Sequence, residues 1–349
     1  MVKEEDEKLL GVLKTLAPGT PLRAALDQII QYRNGALIVL GDTPAVLSIA
    51  HGGFEIDTDF APIKLYELAK MDGAIVISSD LSKIIKANVH LVPDLSLPTS
   101  ETGMRQRTAE RVARQTGVPV VSISEDLGNI FLYVGDIKYI LVDIRLLMAR
   151  ANQALQTLEK YKARLDQVIS NLDTLEFKDM VTLSDVASVV QRAEMVQRVS
   201  RETERYIIEL GEEGRLVRMQ LDELVGSVRE DYLQTVRDYC RLRGKRTVEA
   251  VMREISLFSM DELLDLENVA HSLGYRGEEL ENLTSPKGYR LLRRIPQIPP
   301  PVVDNIANRF GSLKRITLAS VSELDEVAGV GEARARALQE GLKRLRATS

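Results

Sequence analysis

One stretch in the first third of the chain concentrates residues suited to binding phosphate groups. The stretch is Glu101–Arg111 and reads ETGMRQRTAER. Gly103 lets the backbone approach a ligand closely, and Arg105 and Arg107 can form charge-assisted, often bidentate hydrogen bonds with phosphoryl oxygens. The stretch leads into a helical run, whose N-terminus offers free N–H groups and a positive dipole end. These residues therefore predict a phosphate site, with the Thr108 hydroxyl beside it.

Length and composition define the class of protein that must carry this site. The 349 residues are enough for two or three domains, and 44% hydrophobic with 28% charged residues is typical of a soluble globular protein. No apolar run approaches the roughly 18 residues of a membrane span, and the start, MVKEEDEKLL, has no signal-peptide pattern. The single cysteine, Cys240, excludes an internal disulfide. We therefore expect a cytoplasmic protein without membrane contact.

Charge is distributed unevenly along the chain. Residues 286–349 contain 12 Lys and Arg against 6 Asp and Glu, whereas the whole chain has a net charge of −5. The remaining residues are therefore strongly acidic. A basic tail on an acidic body predicts a polyanionic partner for the tail.

Residues 1–142 predict an α/β domain with a mixed central sheet, because short apolar runs alternate with amphipathic helical segments. Thr20 and Pro21 form a helix-start signal. His51–Phe54 is predicted as a loop. The predicted helices are 1–17, 21–33 and 62–71, and the predicted strands are 35–40, 72–78, 89–92, 118–124, 130–134 and 139–142.

Residues 143–285 predict an all-helical middle domain. From residue 144 to 175 apolar residues recur at steps of three and four, which indicates one long helix with a narrow apolar seam. Helical periodicity continues through 183–210 and 215–240, with Gly211 and Gly214 as the break. The charge runs of this domain are interpreted as solvated helix faces.

Residues 286–349 predict an all-α C-terminal domain with helices at 301–310, about 312–319, 322–327 and 332–346. The last two flank a tight turn, and the whole resembles a helix-hairpin-helix motif, in which backbone N–H groups at a helix start hold a DNA phosphate. Segment 298–310 is a candidate degenerate first copy. The alternative is an ordinary glycine-rich turn in a small bundle. The candidate DNA-binding residues are Gly329, Val330, Gly331, Arg334, Arg336 and Lys343.

Two N-terminal motifs belong together, namely Met71-Asp72-Gly73-Ala74, preceded by LYELAK at 65–70, and the stretch Glu101–Arg111. Together they resemble the diadenylate cyclase family. The order of a cyclase domain, a helical middle domain and a helix-hairpin-helix tail is similar to family members along the whole chain. The resemblance implies an enzyme that joins two ATP molecules into cyclic di-AMP and releases two pyrophosphates, and that responds to branched DNA near the nucleoid.

The resemblance also implies roles for individual residues. Asp72 would lie beside the ribose 3′-hydroxyl and a divalent ion, Mg²⁺ or Mn²⁺, and would help that oxygen attack the α-phosphate of the second ATP. Arg105 and Arg107 would offset charge as pyrophosphate leaves, and Leu91 would pack against adenine. The implied ATP-binding residues are Gly73, Ala74, Leu91, Met104, Arg105, Gln106, Arg107, Thr108 and Ser124. Two such domains would meet face to face, which implies a homo-oligomer, and for this family an octamer.

The chain departs from the family pattern at two places. Gln106 stands where the family usually has histidine between two arginines, and glutamine cannot carry a proton charge near neutral pH. Glu125-Asp126 places acidic groups after Ser124. Three functions therefore remain open: a cyclase regulated by DNA, a weak or non-catalytic sensor of ATP or cyclic di-AMP, and a structural DNA-junction binder whose α/β domain serves only assembly.

Overall fold

The computed structural model describes residues 2–125, 128–242 and 246–348, and its N-terminal part alternates helices with strands. The helices of this part are α1 (Val2–Thr15), α2 (Pro21–Gln31), α3 (Pro44–Ile49), α4 (Pro62–Leu68) and α5 (Met104–Thr116). The strands are β1 (Ala36–Leu40), β2 (Ala50–His51), β3 (Phe54–Asp59), β4 (Ala74–Ile77), β5 (Lys83–Leu91), β6 (Val120–Ile123), β7 (Ile130–Val134) and β8 (Ile137–Ile140).

The strands form one mixed sheet, as predicted. Its order is β2-β5-β4-β1-β6-β7-β8, and β3 pairs with β5 beside β2. Strands β1 and β4 run parallel, whereas the other pairs are antiparallel. The central strands are apolar without interruption because helices cover both faces of the sheet. Side chains alternate between the faces: Ile38 packs with α2 and α4, and Val39 packs with α3 and α5.

From residue 144 the described chain is helical. The long helices α6 (Ile144–Lys178) and α7 (Leu183–Leu210) are followed by a 3₁₀ turn at Gly211–Gly214. The remaining helices are α8 (Arg215–Val225), α9 (Val228–Tyr239), α10 (Val248–Ser256), α11 (Met260–Leu264), α12 (Leu266–Leu273), α13 (Tyr289–Arg293), α14 (Pro300–Phe310), α15 (Leu313–Leu318), α16 (Val321–Asp325) and α17 (Gly331–Thr348). None of the described helices is long and apolar enough to cross a membrane.

The chain separates into two compact units. One contains Met1–Asn152 with Glu204–Arg218, and the other contains Gln153–Thr203 with Met219–Ser349. Within the second unit, residues 289–342 form their own apolar cluster, which includes Leu292, Val303, Ile306 and Leu338. The division into domains 1–142, 143–285 and 286–349 stays a prediction.

Some element predictions were wrong. The predicted loop at His51–Phe54 contains the end of β2 and the start of β3, and helix α3 was not predicted. Strand β3 lies at the sheet edge with mostly exposed side chains, so its sequence carries no apolar face to recognise. The predicted helical segment 215–240 is two helices, α8 and α9, separated at Gly226-Ser227, where the low helix propensity of glycine favours a break.

Candidate functional site

Four neighbouring strands bring the predicted nucleotide residues to one edge of the sheet. Strands β1 and β4 are parallel, so Gly35 and Asp72 precede their starts at the same level. The antiparallel partners β5 and β6 end there, at Leu91 and just before Ser124. Adjacent strands are about 4.8 Å apart. The row from Leu91 through Asp72 and Gly35 to Ser124 therefore spans a width suited to a nucleotide.

The Asp72-Gly73-Ala74 motif forms the turn into β4. The Asp72 carboxylate is exposed, and Ala74 is buried and pairs with Val89 of β5. Gly73 has φ +90°, and a Cβ there would lie 2.9 Å from the carbonyl carbon of Asn88. Only glycine fits this turn without moving β5. The motif thus presents one free carboxylate on a closely packed backbone.

The stretch Glu101–Arg111 forms the start of α5, as predicted. Gly103 is the N-cap residue, without a side-chain cap, and its carbonyl accepts a hydrogen bond from Arg107 N at 3.0 Å. The N–H groups of Met104 and Arg105 in the first turn have no acceptor within the helix. The positive end of the α5 dipole and these N–H groups are therefore available to an anion.

The two arginines of this stretch point in different directions, because residues two apart lie on opposite sides of a helix. Arg105 is half-buried: its Nη1 donates to Ile123 O at 3.5 Å, and a Cβ on Gly35 would lie 2.0 Å from the same nitrogen. The absence of a side chain at 35 therefore makes room for this guanidinium at the sheet edge. Arg107 is exposed. In this conformation the pair offers one half-buried and one exposed positive charge.

The remaining predicted phosphate residues have different surroundings. Gln106 folds back along the helix start, and its Oε1 lies 2.2 Å from where a Cβ on Gly103 would be. The Thr108 hydroxyl donates to Met104 O at 3.0 Å, which leaves its lone pairs but not its proton for a ligand. Met104 is 78% exposed. Ser124 N donates to Asn129 O at 3.1 Å.

The segment before this helix is held against α5 by side chains that the sequence analysis assigned no function. Glu110 is 6% exposed, accepts a 2.5 Å hydrogen bond from the Thr99 hydroxyl and pairs with Arg114 at 3.0 Å. Arg111 Nε donates to Leu97 O at 3.0 Å. The sequence does contain a signal for this contact, because Glu110 is a charged residue on a helix face that otherwise carries apolar residues such as Ala109 and Val112.

A second anchor fixes the start of the stretch. The Glu101 carboxylate accepts a 3.1 Å hydrogen bond from the Tyr133 hydroxyl and pairs with Lys138 at 2.5 Å. Burial, together with the nearby Glu101 carboxylate, raises the pKa of the Tyr133 hydroxyl above its usual range. This phenol therefore stays protonated and keeps donating at any physiological pH.

The described residues fit a divalent ion that is shared with a nucleotide better than a protein-only metal site. No group of three or more His, Cys, Asp or Glu side chains among them could hold a metal ion. Mg²⁺ is commonly bound by one or two carboxylates together with substrate phosphates, and the exposed Asp72 carboxylate at the sheet edge provides one such ligand. Glu125 is exposed, and Asp126 lies outside the described residues.

The second candidate site is the turn between α16 and α17. Gly329 and Gly331 have φ +85° and +65°, and Val330 is buried in the cluster of residues 289–342. Arg334 Nη1 donates to Gly329 O at 2.6 Å, and Arg336 pairs with Glu332 at 2.5 Å. Lys343 is exposed further along α17. This is the predicted glycine hairpin, with the start of an 18-residue helix open to solvent.

Comparison with known proteins assigns this α/β nucleotide-site domain and its helical extension to one class. A family model described as "DisA bacterial checkpoint controller nucleotide-binding" matches residues 23–137, and one described as "DisA bacterial checkpoint controller linker region" matches residues 141–281. Both models belong to the same kind of protein, a bacterial checkpoint controller.

Similar proteins extend the match to nearly the whole chain. The DNA integrity scanning protein DisA of Clostridium botulinum (strain Kyoto / Type A2) is 52% identical over 98% of this chain and 97% of its own length. That of Carboxydothermus hydrogenoformans is 50% identical over 98% of each. The chain belongs to the DisA family. The crystal structure of a double mutant of DacA from Staphylococcus aureus covers 40% of this chain and 90% of its own, with 22% identity and a TM-score of 0.30, too low to support a functional comparison.

Proposed function

We propose that this protein is a diadenylate cyclase, which condenses two ATP molecules into cyclic di-AMP and two pyrophosphates. The observation that carries the proposal is the single sheet edge that holds the Asp72 carboxylate and the Arg105 guanidinium of the first turn of α5. Such an edge supplies an acid–base group, a fixed positive charge and backbone N–H donors together. Membership of the DisA family, with its nucleotide-binding family model, supports the same activity.

The reaction follows from these groups. Asp72 orients the ribose 3′-hydroxyl and accepts its proton as the 3′-oxygen bonds to the α-phosphorus of the second ATP. The bond between that phosphorus and the oxygen that bridges the α- and β-phosphates breaks, and pyrophosphate leaves with the electron pair of that bond. Arg105, Arg107 and the N–H groups of α5 offset its charge. Mg²⁺ or Mn²⁺ bound by Asp72 and phosphate oxygens would neutralise further charge. The same step on the other ATP closes the ring.

The substrate geometry requires two copies of the domain. Each sheet edge accommodates one nucleotide, so the 3′-oxygen of one ATP and the α-phosphate of the other meet only when two subunits face each other. An isologous pair satisfies this requirement symmetrically. We propose a homo-oligomer built on this pair, with the octamer as the assembly that the family resemblance implies.

The test is mass analysis of the product after incubation of the purified chain with ATP and either Mg²⁺ or Mn²⁺. We expect cyclic di-AMP and pyrophosphate, and we expect Asp72→Asn to abolish both while ATP still binds in calorimetry. Absence of product with both metals would disprove the cyclase function. Unchanged turnover in Asp72→Asn would show that this carboxylate has no part in the reaction.

A second candidate is a sensor that binds ATP or cyclic di-AMP with little or no turnover, and Gln106 favours it. Substitution of Gln106 by histidine separates the two. We expect less than about a three-fold change in turnover, because Gln106 lies over Gly103 at the helix start, a position where Gln side chains cap helices. A large gain in turnover would instead support the sensor as the natural state.

We further propose that the tail binds the backbone of branched DNA through the Gly329–Gly331 hairpin. The open start of α17, the basic side chains Arg334, Arg336 and Lys343, and the similarity to DNA integrity scanning proteins support this function. Binding would be independent of sequence and would weaken steeply with salt. Cyclase activity coupled to DNA would make the protein a DNA-integrity checkpoint beside the bacterial nucleoid, in the cytoplasm.

Gly331→Glu places a negative charge where the phosphate would lie. We expect it to weaken binding of branched DNA at low salt by about ten-fold or more, since like charges in an interface cost several kcal/mol. Equal affinity of the variant and the unaltered chain, measured by fluorescence anisotropy, would disprove the hairpin contact.

A further inference from the structure

The tail contains two hairpins that match in length and in the burial of equivalent residues, although Pro299 has φ −65° where Gly331 of the second has φ +65°. The first connects α13 with α14 through residues 294–299, and the second connects α16 with α17 through residues 326–330. Gln297 has φ +73° where Gly329 has φ +85°. Ile295 and Ile298 of the first hairpin are buried, as are Val327 and Val330 at the equivalent places of the second. Residues 294–304 of the first hairpin therefore correspond to residues 326–336 of the second.

The two hairpins differ in what they offer a phosphate. The second starts its helix with Gly331-Glu332-Ala333, whose backbone N–H groups can donate. The first has Pro299-Pro300-Pro301 at the same places, and proline has no N–H. Although proline is common at the first position of a helix, three in succession remove the donors that a phosphate would need. The first hairpin therefore keeps the shape of the motif without its donors.

The side chains of the two hairpins also differ in what they offer a phosphate. Where the second hairpin has the exposed Arg334, the first has Val302, which is buried and lies 3.2 Å from where a Cβ on Gly329 would be. Where the second has Arg336, the first has Asp304, which pairs with Arg237 of α9 at 2.9 Å. The surface equivalent to the DNA-facing one thus carries an apolar group and a negative charge.

The basic side chains that the first hairpin does have face the protein. Arg290 is 1% exposed and pairs with Glu176 at 2.8 Å and with Asp173, both on α6. Arg294 also pairs with Asp173, at 2.6 Å. The Asp238 carboxylate of α9 accepts hydrogen bonds from the backbone N–H groups of Gly288, Tyr289 and Arg290 at 2.6–2.9 Å. Acidic side chains of α6 and α9 therefore already contact the basic side chains of this hairpin and the N–H groups at the start of α13.

We propose that the first hairpin is a protein-binding surface whose partners are helices α6 and α9 of the same chain, and that the tail contacts DNA through the second hairpin alone. The second half of this inference rests on the proposed DNA binding, whereas the first half stands without it. Each chain then has one phosphate-binding hairpin, held in one orientation on the helical region by the other.

A matched pair of substitutions tests the DNA-facing half in the full chain. Pro301→Glu and Ala333→Glu place the same charge at equivalent exposed positions, and glutamate near a helix start preserves folding. In fluorescence anisotropy with a labelled four-way DNA junction at low salt, we expect Ala333→Glu to weaken binding about ten-fold and Pro301→Glu to change it less than two-fold. Equal losses in both variants would overturn the proposal.

Asp304→Lys tests the protein-facing half with a readout that does not depend on DNA. The substitution replaces the ion pair with Arg237 by a repulsion between two positive charges, and it makes the first hairpin more basic. We expect faster amide hydrogen exchange in α13 and at the start of α14, and no gain in DNA affinity. Unchanged exchange, or tighter DNA binding, would contradict the docking. If the unaltered chain binds no DNA at all, the proposed DNA function fails, and exchange alone still decides the docking.

Discussion

At the scale of single residues, the two arginines of the phosphate stretch differ in how far they contribute to the stability of the fold. Arg105 is packed between Gly35 and the end of β6, and Arg107 is exposed. Sequence spacing treats them as an equivalent pair, whereas the fold uses Arg105 as part of the sheet edge itself. The two side chains should therefore respond differently to truncation.

We expect Arg105→Ala to lower both ATP affinity and stability, the latter by about 1 kcal/mol, because packing of the arginine stem and its hydrogen bond are lost. Arg107→Ala should lower ATP affinity by a similar factor and leave stability within about 0.5 kcal/mol, as is usual for surface positions. Urea unfolding and calorimetric ATP titration measure the two effects. Equal stability losses in both variants would contradict the structural difference.

At the scale of elements, helix α5 both presents the phosphate site and fixes the segment in front of it. Glu110 connects Thr99 of that segment with Arg114 of the same helix. The preceding segment is therefore fixed to the helix, and a substitution in the middle of α5 should change the position of the groups at the phosphate site.

We expect Glu110→Ala to raise KM for ATP about five-fold or more with a smaller effect on kcat, because a small misplacement of substrate-positioning groups is costly. Glu110→Gln should be milder, since its amide oxygen still accepts from Thr99. Hydrogen exchange of residues 94–103 should be faster in the alanine variant. A loss of kcat at constant KM, or equal effects of the two variants, would contradict this positioning function.

The contact between α9 and α13 predicts a dependence of stability on pH. Burial, with the nearby Glu176 carboxylate, raises the pKa of Asp238 to about 7 from 3.8. Between these values the folded chain holds a proton that the unfolded chain has lost. The stabilisation from this group is therefore present at low pH and diminishes as pH rises from about 4 to about 7.

Asp238→Asn removes this titration while retaining an acceptor for the N–H groups of α13. We expect the free energy of unfolding of the unaltered chain, relative to the variant, to fall by up to about 1.4 kcal/mol per pH unit across this window. Urea unfolding between pH 4 and pH 8 measures the difference. Parallel pH profiles for the two chains would show that Asp238 stays ionised in the fold.

At the scale of the whole molecule, the proposed chemistry belongs to pairs of subunits. If Asp72→Asn subunits exchange with unaltered subunits in an equal mixture, only about a quarter of the paired sites contain two intact subunits. We expect cyclic di-AMP formation to fall to that fraction rather than to a half, because both bonds of the product form in one shared site. Half of the activity would indicate that each subunit works alone.

Much of the fold could be predicted from the sequence because it is encoded locally. The apolar runs at Ala36–Leu40 and Ala74–Ile77 and the three-and-four spacing along α6 are short-range patterns, and they produced strands and a helix close to the expected places. Strand β3 could not be predicted, because it depends on pairing with β5 and has no buried face of its own. Helix α13 was not predicted either, because its five residues are too few to show a helical period in the sequence.

The sequence by itself determined the chemistry that is available at Glu101–Arg111: which side chains carry charge, where glycine lets the backbone approach a ligand, and which helix start lies next to them. Only the tertiary structure decided which groups share the site. The parallel pairing of β1 with β4 puts Asp72 level with Gly35, against which Arg105 packs, although these residues are far apart in the chain. It also decided that the basic residues of the first hairpin pair with carboxylates of α6, whereas Arg334, Arg336 and Lys343 of the second stay exposed, because charge pairing depends on distance in space, which the order of residues does not contain.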